Sequence, residues 1–309
     1  MSSSSPSPFR APASGLVALR RRFFALFRGR PETTAWTLVG PGLSWMLLFF
    51  IGPLLLMLFY SFKQRGVYGV VVDGYTIEHY LRFADPLYLG ILWRTLKMAL
   101  SCTIICLLLG YPVAYVIAAG GRFKNLLLFL VVLPFWTSFL VRTFAMIFLM
   151  RDTGLINTTL LSLGLIDEPI AMLYTPFAVM AGLVYGFLPF MVLPIYTSLE
   201  KLDPSLLEAA EVLGARPVAR FLRVTLPLSM PGVAAGSLLV FIPSLGSYLT
   251  PDLLGGAKQM MIGNLVQNQF TSARNWPFGS AASFIVMALV LVAVVGFLRK
   301  RDAGPGSVL

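Results

Sequence analysis

Six apolar runs, at 36–62, 91–119, 126–150, 172–198, 227–250 and 279–298, constrain this chain more than any other feature. Each is long enough to cross a hydrocarbon core of about 30 Å, which takes roughly 20 helical residues. Lipid offers no hydrogen bonds, so a chain spanning it through runs of this kind must satisfy its own backbone as α-helix. Composition points the same way, with 57% hydrophobic residues, 12% charged residues and a mean hydropathy of +0.81. The expected fold is therefore all-α and polytopic, with six transmembrane helices.

The net charge of +11 would suggest nucleic acid in a soluble chain, but here the basic residues sort by loop. Six lie between 10 and 30, two at 122 and 124, four between 201 and 223 and three at 299–301, fifteen of the 24 Lys and Arg. Seven fall in the alternate loops, and Lys97 and Arg142 fall within spans. The excess of positive charge marks the cytoplasmic side, so both termini are expected inside and no nucleic-acid partner is expected. The divisions that follow are a cytoplasmic N-terminal segment at 1–35, a six-helix transmembrane domain at 36–298 and a cytoplasmic tail at 299–309. Within the first, 1–14 is Ser/Pro-rich and expected to be disordered, and 16–27 has an apolar face suited to the inner leaflet.

Several function classes are disfavoured. Cys102 and Cys106, one turn apart, are too few and too local for a disulfide framework or a zinc site, and read as small apolar packers. His79 is the only histidine and sits in the first external loop, where a solvated ring is expected. No acid falls at mid-depth in a span, so the carboxylate relay of a proton-driven carrier is missing. Neither an inverted repeat nor a P-loop, HExxH or Ser/His/Asp set is present, so a secondary carrier or membrane enzyme is a remote reading and no metal site is expected. Arg142 is expected to be structural, held by helix carbonyls or by Asp152 or Asp252. The stretch at 251–278 is the most polar of the outer half and is read as re-entering the membrane against protein.

Between the fourth and fifth runs lies a charged segment, 208–227, reading EAAEVLGARPVARFLRVTLP. Asp203 can cap a short helix, Pro204 suits its first position and Ser205 with Glu208 offers an alternative capping box. Gly214 can take the left-handed stop and Pro217 forbids continuation. A helix of about ten residues, roughly 15 Å long, follows. Leu206, Ala210 and Leu213 share a face with the small Ala209 beside them. From physics alone, this is equally a turn helix packed on its own bundle or a knob for a cleft in another protein.

The pattern Glu208-Ala209-Ala210, three residues, Gly214, nine residues, Val224, Thr225, Leu226-Pro227 resembles the EAA loop of ABC importer permeases, with Val224 where the pattern has Ile. The resemblance implies a type I (MetI-like) permease fold with a cytoplasmic coupling loop at about 200–226. In it, Glu208 contacts the socket rim of an ATPase, Ala209 and Ala210 allow close approach, and Gly214 turns the chain ahead of Leu226 and Pro227.

Residues 133–145 (LPFWTSFLVRTFA), 241–256 (FIPSLGSYLTPDLLGG), 261–270 (MIGNLVQNQF) and 274–281 (RNWPFGSA) are similar to spermidine/putrescine permeases of the PotB/PotH kind. This implies a bacterial inner-membrane subunit of an importer that moves polyamines inward. A different small organic cation, an amino acid derivative or a phosphonate is the alternative cargo. The implied partners are a second, non-identical permease, two ABC ATPase subunits, a periplasmic solute-binding protein and the bilayer. ATP and Mg belong to the ATPases, and no cofactor is expected on this chain. A multiply charged ammonium chain needs acids, carbonyls and aromatic faces, so the path candidates are Asp252, Tyr248, Trp136, Phe135, Tyr185, Gln267 and Asn268.

Overall fold

The computed structural model describes residues 31–66, 69 and 71–302. The expectations for 1–14 and 16–27 lie outside these residues, as do 303–309. The chain divides into two units, one up to Phe59 and one from Tyr60 onward. The first is carried by α1 (Pro31–Ser61), whose 31 residues reach roughly 46 Å at 1.5 Å per residue.

The second unit opens with a hairpin of β1 (Lys63–Arg65) and β2 (Val71–Tyr75), antiparallel, and a short helix α2 (Glu78–Phe83). Then come α3 (Pro86–Ala119), α4 (Lys124–Val132), α5 (Phe139–Met150), α6 (Leu155–Ser162) and α7 (Pro176–Glu200). The rest is α8 (Pro204–Val212), α9 (Pro217–Arg220), α10 (Leu226–Gly246), α11 (Leu249–Gly255), α12 (Ile262–Phe270) and α13 (Trp276–Asp302). Among the described residues five helical stretches are long and apolar enough to span a membrane unbroken, and a bent pair, counted as one span, makes a sixth.

α3, α7 and α10 form the core of this unit. Their packing inverts the soluble rule. On α3 the buried stripe carries Ala99, Cys102, Thr103, Cys106, Gly110 and Ala114, while Leu100, Ile104 and Leu108 point away from protein. Lipid is as apolar as leucine, so helices in it associate through close van der Waals contact, which small residues permit. Gly232 on α10 shows how close: a Cβ there would lie 2.5 Å from the carbonyl oxygen of Pro194 on α7. A buried bond between Tyr111 Oη and Ser229 Oγ, 2.8 Å, joins α3 to α10. Cys102 and Cys106 are free and buried, in the packing role expected of them.

The third span departs from the single run expected at 126–150. Its limbs, Gly121–Trp136 and Phe139–Ser162, meet at 91°. Pro134 lacks an N–H and leaves the carbonyl four residues back without its helical partner. The chain tightens to a 3₁₀ turn over Leu133–Trp136, Thr137 Oγ1 donates to the Pro134 carbonyl at 2.7 Å, and Thr137 is extended. Both limbs are equally apolar, so hydropathy sees one run. The fifth span also starts earlier than expected. α9, a π-helical turn over Phe221–Thr225 and α10 form one continuous stretch from Pro217 to Gly246. Pro227 cannot bond the carbonyl of Arg223, and the wide turn absorbs that loss.

His79 is buried rather than solvated. Its Nε2 donates to the Lys63 carbonyl at 3.0 Å, and its ring lies 6.5 Å from that of Phe278. The hairpin folds over it, which no local pattern announces. The polar stretch at 251–278 forms α11 and α12, both inserted among the spans: Ile262 N–H donates to Thr95 Oγ1 on α3 at 2.9 Å, and Tyr174 N–H to the Leu254 carbonyl at 2.9 Å. Asn264 turns inward, its Nδ2 donating to the Tyr248 carbonyl at 2.8 Å.

Candidate coupling helix and transport path

α8 begins where Asp203 accepts from Ser205 N–H at 2.9 Å, with Pro204 in the first turn. That backbone N–H holds the Asp203 carboxyl below its ordinary value. The cap is therefore present at neutral pH and weakens only as pH falls through the lowered value. The capping box of Ser205 and Glu208 is not used. The helix ends in a Schellman turn: Ala215 N–H reaches the Ala210 carbonyl at 3.0 Å, Gly214 N–H reaches that of Glu211 at 2.9 Å, and Gly214 has φ +77. Arg220 Nη1 donates to Glu211 Oε2 at 2.7 Å and ties the helix end to α9.

No residue of α8 is buried. Glu208, Ala209 and Gly214 are exposed and Ala210 is half-buried. Val212 and Leu213 stand 88% and 86% exposed at its end. Apolar side chains so bare on a charged loop are a surface that the chain itself leaves uncovered. Leu226 and Pro227 lie apart from this knob, at the start of α10.

Beneath α8 a cavity of about 400 Å³ is lined by Tyr115 and Ala119 of α3, Lys124, Glu200, Pro204 and Leu207, among others. Lys124 Nζ donates to Glu200 Oε1 and lies 5.6 Å from the Tyr196 ring. One ion pair thus joins the start of the third span to the end of α7, immediately before α8.

The path candidates fall into separate groups. Phe135 packs edge-on to Phe190 at 5.1 Å and, with Tyr185, faces the Arg142 guanidinium. Trp136 is turned away against Phe129 at 5.5 Å and is 74% exposed. Tyr248 and Gln267 line a largely apolar cavity of about 460 Å³ between α10, α12 and α13. Asp252 is exposed in the first turn of α11, and Asn268 is half-buried.

The partner expected for Arg142 is not found. Among the described residues neither a carbonyl nor Asp152 or Asp252 meets it, and its Nε and Nη1 are buried without an acceptor. Aromatic faces take their place, with Phe135 at 5.0 Å, Phe139 at 5.8 Å and Tyr185 at 5.9 Å from Cζ. Sequence reading also missed Asn157, fully buried, whose amide bonds Arg151 and Ile170 and closes the loop after α5. The signal for it is only tertiary, since a lone Asn in a polar loop looks like any other.

Residues 106–301 match the family model described as binding-protein-dependent transport system inner membrane component. The chain is 47% identical over 259 residues to the spermidine/putrescine transport system permease protein PotB of Haemophilus influenzae, covering 84% of this chain and 91% of that one. It is 46% identical over 260 residues to the protein of the same name from Escherichia coli, covering 83% and 93%. A bacterial alginate ABC transporter solved with its alginate-bound periplasmic protein shares the fold at a TM-score of 0.71, with 18% identity and 86% and 93% coverage. This chain therefore belongs to the binding-protein-dependent transport system inner membrane component family, as a multi-pass, non-catalytic ABC importer permease subunit of the PotB kind.

Proposed function

We propose that this chain forms half of the membrane pathway of an ATP-driven importer that carries spermidine and putrescine from a periplasmic receptor into the cytoplasm. The observation that carries the reading is α8: Glu208, Ala209 and Ala210 sit on a short helix none of whose residues is buried, with Val212 and Leu213 bare at its end. Such a knob suits a groove in an ATPase subunit, with Glu208 at the rim and Ala209 and Ala210 allowing backbone approach. Closure of the ATPases on nucleotide would then push α8, and Leu226 and Pro227 would pass the motion to α10. ATP and Mg belong to those partners. One α8 serves one ATPase, so a second permease chain is required, here taken as non-identical. Both termini then face the cytoplasm, together with α8 and the turn at 121–123.

The polyamine cargo rests on the 46–47% identity to proteins named for spermidine and putrescine. In a deletion strain, this chain with its partner subunits is expected to restore uptake of labelled spermidine and putrescine. Restored uptake of a phosphonate or an amino acid derivative, with neither polyamine moved, would replace the cargo.

The Lys124–Glu200 pair supplies a further test, since it joins the bent span to the base of α8. Glu200→Lys is expected to lower uptake per ATP hydrolysed several-fold by setting like charges together. Adding Lys124→Glu to that variant is expected to recover most of the loss, because the reversed pair reforms the contact. A double variant no better than the single one would remove the pair from the transmission route.

A further inference from the structure

Arg142 sits in the first turn of α5, just past the break in the third span, and its cation has no counter-charge among the described residues. Its guanidinium is held by rings from both sides of that break and from a neighbouring span: Phe135 from the 3₁₀ turn, Phe139 from α5 and Tyr185 from α7. Three aromatic faces around one cation are the chemistry by which proteins receive an alkylammonium group. A carboxylate partner would have left this cage neutral. Without one, the cage carries a full positive charge, and a second cation against the same rings meets repulsion that a low dielectric leaves unscreened.

We propose that Arg142 is a tethered cation that fills an aromatic cage in place of a cargo ammonium group, so that cargo enters only when the guanidinium withdraws. The inference rests on the reading of the cargo as a cation. Arg142 moves with α5, whereas Phe135 lies on the opposite limb of the 91° bend. A change in that bend draws the guanidinium off Phe135 and Tyr185 and frees both rings. Tyr185 is 43% exposed, so its ring already has an open face to offer. Closed, the cage blocks cations in the absence of receptor and nucleotide. Open, it is a weak stepping site.

The test uses the complete importer in proteoliposomes, without receptor and without ATP, and measures leak of labelled spermidine, tetramethylammonium and sulfate. Arg142→Met keeps the length and the contact with the rings but removes the charge. Its spermidine and tetramethylammonium leak is expected to rise about tenfold, a barrier lower by about 1.36 kcal/mol. Sulfate leak should stay at the wild-type level, and Arg142→Lys should stay near wild type for all three. Wild-type cation leak in Arg142→Met, or an equal rise for sulfate, would overturn the proposal. Failure of either variant to assemble would mark the guanidinium as a structural tie and overturn it equally. If wild type with receptor and ATP takes up no spermidine, the polyamine cargo falls, while the tetramethylammonium comparison still decides the role of Arg142.

Discussion

Gly214→Glu is expected to reach the membrane and assemble its helices at near wild-type levels, yet to lose nearly all ATP-driven uptake. Gly214 has φ +77, so any side chain there costs about 1–2 kcal/mol of backbone strain. Nothing lies within 4 Å of the position its Cβ would take, so no clash is added. The strain falls on an exposed turn, outside the core of α3, α7 and α10. Docking suffers far more, because the new carboxylate stands at the edge of a compact apolar knob and would be carried, unpaired, into the ATPase groove. Loss of about 2.8 kcal/mol or more there is a hundredfold in affinity. Gly214→Ala is the control, since it carries the same strain without the charge, and most uptake should remain. Equal loss in both variants would assign the effect to the turn rather than to docking. The readouts are membrane yield, uptake, and retention of the ATPase subunits on purification.

Gly232→Val is expected to do the opposite, removing the folded chain itself. The added Cβ would lie 2.5 Å from the Pro194 carbonyl oxygen and 2.5 Å from Ser198 Oγ. The first of these is backbone, in a stretch of α7 already shaped by Pro189 and Pro194, and it cannot swing aside. α7 and α10 must separate, which forfeits contacts along the face that holds the bundle. Overpacking of this kind costs about 1–3 kcal/mol in ordinary cores. Here the damage also reaches the Tyr111–Ser229 bond, one turn away on α10. Yield of intact protein and its midpoint in a detergent thermal scan should both fall. Gly90→Val, at a site with nothing within 4 Å of the added carbon, should leave both close to wild type. A stable Gly232→Val would mean that α7 and α10 pack less tightly than their backbones indicate.

Most of the spans are legible from the chain alone because hydropathy and backbone satisfaction in lipid leave few alternatives. The α8 helix is legible as well, since Asp203, Pro204, Gly214 and Pro217 each act on their immediate neighbours. What escapes is tertiary. The 91° break at Thr137 hides inside a run that is apolar on both sides, and Pro134 alone does not distinguish a mild kink from a right-angle turn. His79 looks solvated until the hairpin closes over it. Arg142 poses the sharpest case: its burial follows from its place in a span, but the choice between an acid and three rings depends on residues from three elements. The path residues remain separate for a similar reason. Tyr248 with Gln267 and Phe135 with Tyr185 line different parts of the chain, and on the proposed reading a second permease chain would complete the route.

The central claim is that this chain has no energy source of its own and takes force through α8 from an ATP-hydrolysing neighbour. Its most direct test is accumulation of labelled spermidine in receptor-loaded proteoliposomes that contain both permease chains, with and without the ATPase subunits. Uphill accumulation that requires the ATPases and ATP, and disappears with Gly214→Glu, is the expected result. Uphill accumulation by the permease chains alone, or undiminished accumulation in Gly214→Glu, would contradict it.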